Sequence, residues 1–190
     1  MAEDVAFHSL ANHLLVAMPG MADPNFAGAV IFLAEHTARG ALGLIVNRAT
    51  EITLRTLFER VELQLGDGPL ADAAVLYGGP VQTDRGFVLH RPAGSWNSTV
   101  AVGDELGLTS SKDVLEAVAR HEGPAQLLVA LGYAGWGPGQ LEQEIAHNAW
   151  LTLPASGELL FEAPLEQRFD RAFRTLGIDP ALLSLSAGHA

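Results

Sequence analysis

Two acid–histidine pairs supply the residue types that proton transfer or metal binding needs: Glu35 beside His36, and Glu144 three residues before His147. Neighbours near the end of a strand point to opposite faces, so Glu35 and His36 do not close on one ion. Either one, facing a cleft, is an acid or base. The i, i+3 spacing of Glu144 and His147 is that of carboxylate-bridged di-iron helices. Such a site needs a second Glu-x-x-His and two further carboxylates in a helical bundle, and the chain offers neither. The seven histidines, His8, His13, His36, His90, His121, His147 and His189, show no zincin spacing, and Ser95 lacks the Gly-x-Ser-x-Gly elbow of a hydrolase nucleophile. With no cysteine there is no disulfide, thiolate nucleophile, Cys-ligated zinc or iron–sulfur cluster. Neither a metal nor a cofactor is expected.

Residues 127–145 run strand, glycine-rich loop, helix, the order that cradles phosphates. The residue requirements are not met. Gly139 is followed by Gln140-Leu141 where a P-loop carries Lys-Ser/Thr, and Gln140 stands where a dinucleotide fingerprint needs a third small residue. Glu142 and Glu144 fall in the first turns of the helix, where carboxylates offset the positive end of the dipole and repel a phosphate. The loop therefore reads as architecture: a tight strand-to-helix turn with Trp136 packed over it.

These residues need a scaffold, and the periodicity supplies one. Residues 14–18 are a strand ended by Pro19-Gly20, and the apolar runs 29–34 and 41–46 form a hairpin around a five- or six-residue connection, 35–40. Leu54, Leu57, Phe58 and Val61 mark a short amphipathic helix, followed by a surface loop over 66–73. Residues 75–77 and 87–90 make a second hairpin-like unit with turns at Gly78-Gly79-Pro80 and Asp84-Arg85-Gly86. Short strands at 100–102 and 106–108 precede a helix that Ser110 and Asp113 open as a capping box and Gly123-Pro124 stops. A buried strand at 126–133, a helix at 140–148 and a strand at 149–153 follow. The last helix runs from Pro164 to Gly177 with Leu165, Phe169, Phe173 and Leu176 on one side. Arg168, Arg171 and Arg174 lie off that stripe and are expected on a solvated face. Hairpins interspersed with helices favour an α+β sheet over a doubly wound one.

At 190 residues, 48% apolar and 17% charged, the chain holds enough apolar side chain for one core and is expected to be a single domain, with 1–11 and 178–190 as tails. Acidic residues number 22 against 11 basic ones, for a net charge of −11. A body this negative repels a polyanion, so direct nucleic-acid binding is not expected. The acidic start, Met1-Ala2-Glu3-Asp4, is unlike a basic signal peptide, and no apolar run reaches the roughly 18 residues of a membrane span. A cytoplasmic location, away from membranes, is expected.

Several uncommon strings run in order: Ala17-Met18-Pro19; Glu35-His36 with Gly43-Leu44-Ile45-Val46-Asn47-Arg48; Gly78-Gly79-Pro80 with Asp84-Arg85-Gly86-Phe87; and Ala130-Leu131-Gly132-Tyr133-Ala134-Gly135-Trp136. The last continues through Gly139-Gln140-Leu141-Glu142-Gln143-Glu144-Ile145 to Asn148-Ala149-Trp150-Leu151. Together they resemble the bacterial YqgE/AlgH family from about Asn12 to the end of the chain. The resemblance implies a single α+β domain whose bent, mixed sheet forms a flattened, barrel-like core flanked by helices. The AlgH name implies a regulator of alginate transcription, though no DNA-binding motif accompanies it. Many members similar to this chain have cysteine before the Glu-His pair; here that residue is Ala34, so no thiol-based role operates. The expected activity is binding or regulation without catalysis, through a protein or small-molecule partner. Glu35, His36, Asn47, Asp84, Arg85, Tyr133, Trp136 and Gln140 form the candidate surface if the fold brings their loops together. The alternative is an enzyme using Glu35 or His36 as acid or base in a small-molecule cleft.

Overall fold

Three central strands are apolar on both faces, and this sets the layering. β1 (His13–Ala17), β2 (Val30–Thr37) and β3 (Gly40–Ile45) are antiparallel neighbours. Leu14, Val16, Val30, Phe32, Leu44 and Val46 enter one apolar cluster, while Leu15, Ala17, Ile31, Leu33 and Ile45 enter another. A sheet covered on both faces is written as unbroken apolar runs rather than alternation, and helices or loops must lie over each face.

The computed structural model describes residues 6–187. Strands β4 (Ala49–Thr53), β5 (Ala74–Tyr77), β6 (Val81–Arg91), β7 (Thr99–Val102), β8 (Leu106–Thr109), β9 (Gln126–Trp136) and β10 (Trp150–Pro154) complete a ten-stranded sheet. Its order is β10-β1-β2-β3-β9-β6-β8-β7, with β5 beside β9 and β4 beside β5. Every pairing is antiparallel except that of β5 with β9, and the sheet curls into a half-barrel within one α+β domain.

Strand β9 joins the two halves. Its first part pairs with β6 and its last three residues pair with β3, Ala134 to Trp136 against Gly43 to Ala41. The change falls beside Gly132, whose φ of +78° needs a residue without a Cβ. Here the chain leaving β5 crosses close over β9, and a Cβ on Gly79 would lie 2.1 Å from the Tyr133 carbonyl carbon. That crossing accounts for the Gly78-Gly79-Pro80 string, and it corrects the expected second hairpin. β5 and β6 do not pair with each other; both flank β9.

Helix α1 (Leu54–Arg60) is capped by the Thr53 hydroxyl and packs Leu54 and Phe58 with Val114 and Val118 of α3 (Asp113–Ala119). The short α2 (Pro69–Asp72) stands in the expected surface loop. α4 (Gln140–Ala146) covers the Trp136 face, and α5 (Arg168–Thr175) covers the other with Ala172 and Phe173. α6 (Pro180–Ala187) occupies much of the segment expected as a tail. Two further expectations are corrected. Asp113 does not complete a capping box with Ser110; it accepts from the Asn97 N–H and the Ser111 hydroxyl. Arg168 is not solvated: it is 7% exposed, on the buried side of α5.

Candidate functional site

The β2–β3 hairpin is longer and tighter than its apolar runs suggest. Thr37 pairs with Gly40 across a two-residue turn, so Glu35 and His36 lie within the ladder. Register shifts between Leu33, opposite Gly43, and Glu35, opposite Leu42, leaving Ala34 as the extra residue of a β-bulge. A bulge inverts the parity of everything after it. Without it His36 would follow Val30, Phe32 and Ala34 into their cluster. With it, His36 sits opposite Ala41, which pairs on its other side with Trp136. Glu35 is exposed and His36 is 4% exposed, so the two do point to opposite faces.

Inside, the His36 ring is fully engaged. Nδ1 accepts from the Leu10 N–H at 2.9 Å, which leaves the proton on Nε2, and Nε2 donates to Glu142 Oε1 at 2.6 Å. Phe7 packs edge-on with its centroid 4.8 Å from the ring, and Ser9 Oγ donates to the His36 carbonyl. Burial acts to raise the Glu142 carboxyl pKa. Its own backbone N–H and the His36 ring outweigh that, and the group titrates below the ordinary glutamate value.

Two residues further along α4, Glu144 gathers three donors. Its Oε2 accepts from the indole N–H of Trp136 at 2.8 Å and of Trp150 at 2.9 Å, and its Oε1 accepts from the Gln140 amide at 3.2 Å. Gln140 in turn accepts from the Gly137 N–H at 3.0 Å, closing the glycine loop onto the helix. Phe26 stacks on Trp136 and meets Trp150 edge-on. Gly139 adopts a left-handed φ of +73° as the residue before α4. The two glutamates expected to balance the helix dipole also serve as tertiary acceptors, one for a histidine and one for two tryptophans.

The eight sequence-predicted residues do not converge. His36, Trp136 and Gln140 belong to the assembly around α4. Tyr133 lies on the other face of β9, edge-on to Phe87, over which Arg85 places its guanidinium 5.1 Å from the ring centroid. Asp84 borders a groove between β6, α1 and α3 that also reaches Lys112. Asp84 and Arg85 lie within the exposed first half of β6, not in a turn. Asn47 stands beyond the far end of β3, where its Oδ1 accepts from the Val30 N–H and its Nδ2 donates to the Gly28 carbonyl. Arg48 donates to the Asn25 and Ala27 carbonyls, so the Asn47-Arg48 string clasps the loop before β2. Phe26 and Trp150 complete the α4 assembly from outside the eight predicted residues, and Arg168 is buried rather than solvated. Two tryptophans bracketing a short helix with a glutamate between them were the available signal for the first group. Among the described residues, no group of three or more His, Asp or Glu side chains is placed to hold a metal ion.

An AlgH-like family model matches residues 14–181. A UPF0301 protein of Bordetella avium is 56% identical over 189 residues, covering 100% of this chain and 95% of its own length. A UPF0301 protein of Ralstonia nicotianae is 56% identical over 190 residues, covering 100% of both. Among solved structures, the AlgH protein of Pseudomonas aeruginosa is similar with a TM-score of 0.78, 45% identity and full coverage of both chains. A protein of Corynebacterium diphtheriae superimposes with a TM-score of 0.73 at 21% identity, covering 94% of this chain and 93% of its own, a likeness of fold alone.

Proposed function

The chain belongs to the AlgH-like family, and from that premise and the geometry above we propose that it is a non-catalytic binding protein of the cytoplasm. Its partner is a small molecule or a protein, and any regulation it exerts passes through that partner rather than through direct contact with DNA. The observation that carries this reading is the saturation of His36. Both ring nitrogens are engaged inside the protein, and a base that is already hydrogen-bonded on each nitrogen and buried has no atom to offer a substrate. The dispersal of the predicted residues over separate parts of the fold supports the same reading, because acid–base catalysis needs its groups within hydrogen-bond reach of one reacting atom.

The charge supports a partner other than duplex DNA. Of the ten arginines, Arg48 and Arg168 are spent on backbone carbonyls, and Arg55, Arg91, Arg120 and Arg171 lie beside carboxylates. No helix among the described residues is long and apolar enough to cross a membrane.

The test is an incubation of the full chain with a metabolite extract, followed by untargeted mass spectrometry over time. Binding without turnover removes a compound up to one equivalent of protein and then stops, and denaturing the protein returns the compound with its mass unchanged. Depletion that continues past one equivalent, and that Glu35→Gln or His36→Gln abolishes, overturns the reading.

A further inference from the structure

Arg168 is a buried cation with no carboxylate in ion-pair reach among the described residues. Its Nε donates to the Ala163 carbonyl at 3.0 Å and its Nη1 to the Val46 carbonyl at 2.5 Å. A guanidinium carries five N–H groups on three nitrogens, and these two bonds leave Nη2 with no partner among the described residues. The one side-chain nitrogen or oxygen there that is both occluded and unpartnered is Asn12 Oδ1, so Nη2 is not sealed off but keeps open space beside it.

Arg168 lines a pocket of about 170 Å³, about half open to solvent, whose other lining side chains are apolar, among them Leu54, Leu76, Val129, Phe161 and Leu165. Leu70 of α2, 37% exposed, contributes where the cavity meets the surface. Backbone carbonyls meet the arginine with dipoles but leave its charge uncompensated, and burial lowers its pKa to about 10, which keeps it cationic at neutral pH. A largely buried cation beside an apolar wall, with one nitrogen still open, selects a ligand that is anionic at one end and apolar over the rest. Phosphate and sulfate use less of the site, because they bring no apolar surface to set against its leucine and phenylalanine walls. A carboxylate needs less: one oxygen accepts from the free Nη2, and the other turns to the open side of the pocket. For scale, an apolar cavity of about 150 Å³ accommodates benzene.

We propose that Arg168 and this chamber bind a small monocarboxylate with an apolar body of about six carbons, the carboxylate against Nη2 and the body among Leu76, Val129 and Phe161. The inference deepens the binding reading above and rests on it. None of the eight residues singled out in the sequence takes part.

The experiment titrates the full chain with hexanoate and benzoate, and with the neutral hexanamide and benzamide, reading the Arg168 Nε–Hε resonance by NMR and the heat by calorimetry. The expected result is a saturable shift of that resonance by one or both acids, with the matching amide at least about tenfold weaker. Ala74 also lines the chamber, so Ala74→Leu, which fills space and leaves the arginine in place, should abolish the shift while the thermal unfolding stays cooperative. Arg168→Lys, which keeps the charge but has one nitrogen where two carbonyls and the ligand need three, should weaken binding. Four results overturn the proposal: no shift up to about 10 mM of either acid, equal affinity for the amide, undiminished binding by Ala74→Leu, or shifts confined to the exposed Arg171 and Arg174. A chain that retains an unconverted metabolite but ignores hexanoate and benzoate keeps the non-catalytic reading and loses this one. Turnover in the metabolite incubation removes that reading directly.

Discussion

Glu144 is the acceptor on which the α4 assembly closes, and its removal has a calculable cost. Trp136 and Trp150 are 6% and 3% exposed, and both indoles donate to the same oxygen, Oε2. Glu144→Ala strands both N–H groups. A buried donor left without its acceptor costs about 1–3 kcal/mol, so with some water entering the vacated, half-buried position the loss is about 2–4 kcal/mol. Glu144→Gln behaves differently. Its amide oxygen can occupy the Oε2 position and keep both indole bonds, but its NH₂ then meets the Gln140 amide donor to donor, and the charge assistance disappears. That variant loses about 1 kcal/mol. Removing the opposing donor with Gln140→Ala should recover part of the Glu144→Gln deficit, giving a favourable coupling in the double variant. Urea unfolding followed by far-UV circular dichroism reads the free energies, provided the slopes match the parent chain. Tryptophan fluorescence follows the site itself, since two of the chain's three tryptophans are in it. If Glu144→Ala unfolds within about 0.5 kcal/mol of the parent, the carboxylate is not the keystone argued for above, and if Gln costs as much as Ala, the loss does not come from the two stranded indole donors.

Two further predictions concern stability. Asn47→Ala removes the acceptor for the Val30 amide, a residue 1% exposed, together with the donor to Gly28. A loss of about 1–3 kcal/mol and faster hydrogen exchange at Val30 are expected. Acidification should destabilise the fold in two stages. Burial of His90 outweighs its bond to the Pro92 carbonyl and holds its pKa below 6.5, so the unfolded chain takes up that proton first. Its contribution is complete above about pH 6.5 and is lost as pH falls through the folded value. Glu142, held below 4.5, adds a loss that begins beneath that pH as the carboxylate paired with His36 is protonated. Melting temperature against pH should show both steps, with His90→Gln flattening the first and Glu142→Gln the second; a first step unchanged in His90→Gln assigns it elsewhere.

Local pattern and overall composition were legible before any coordinates. The runs at 29–34 and 41–46, the 3.6-residue spacing of Leu54, Leu57, Phe58 and Val61, and the stripe through Phe169 and Phe173 became β2, β3, α1 and α5, because burial of apolar side chains acts on near neighbours in sequence. The glycine and tryptophan strings marked the family and the turn before α4. Arg168 was misread although it stands three after Leu165 and four before Ala172, squarely within a continuous apolar stripe. Its charge argues for solvent and its position for the core, and the carbonyls of Ala163 and Val46 that receive it lie outside the helix.

Composition by itself settled that this chain has no thiol chemistry, an acidic body and the apolar content for a core, since these depend on what residues are present and not on where they lie. Tertiary structure alone decided which side His36 faces, because one extra residue at Ala34 inverts the strand's parity. It alone brought Glu144 between two tryptophans and set an uncompensated guanidinium against an apolar cavity. Each of these depends on contacts between segments far apart in the chain, and such contacts leave no period in the sequence from which to read them.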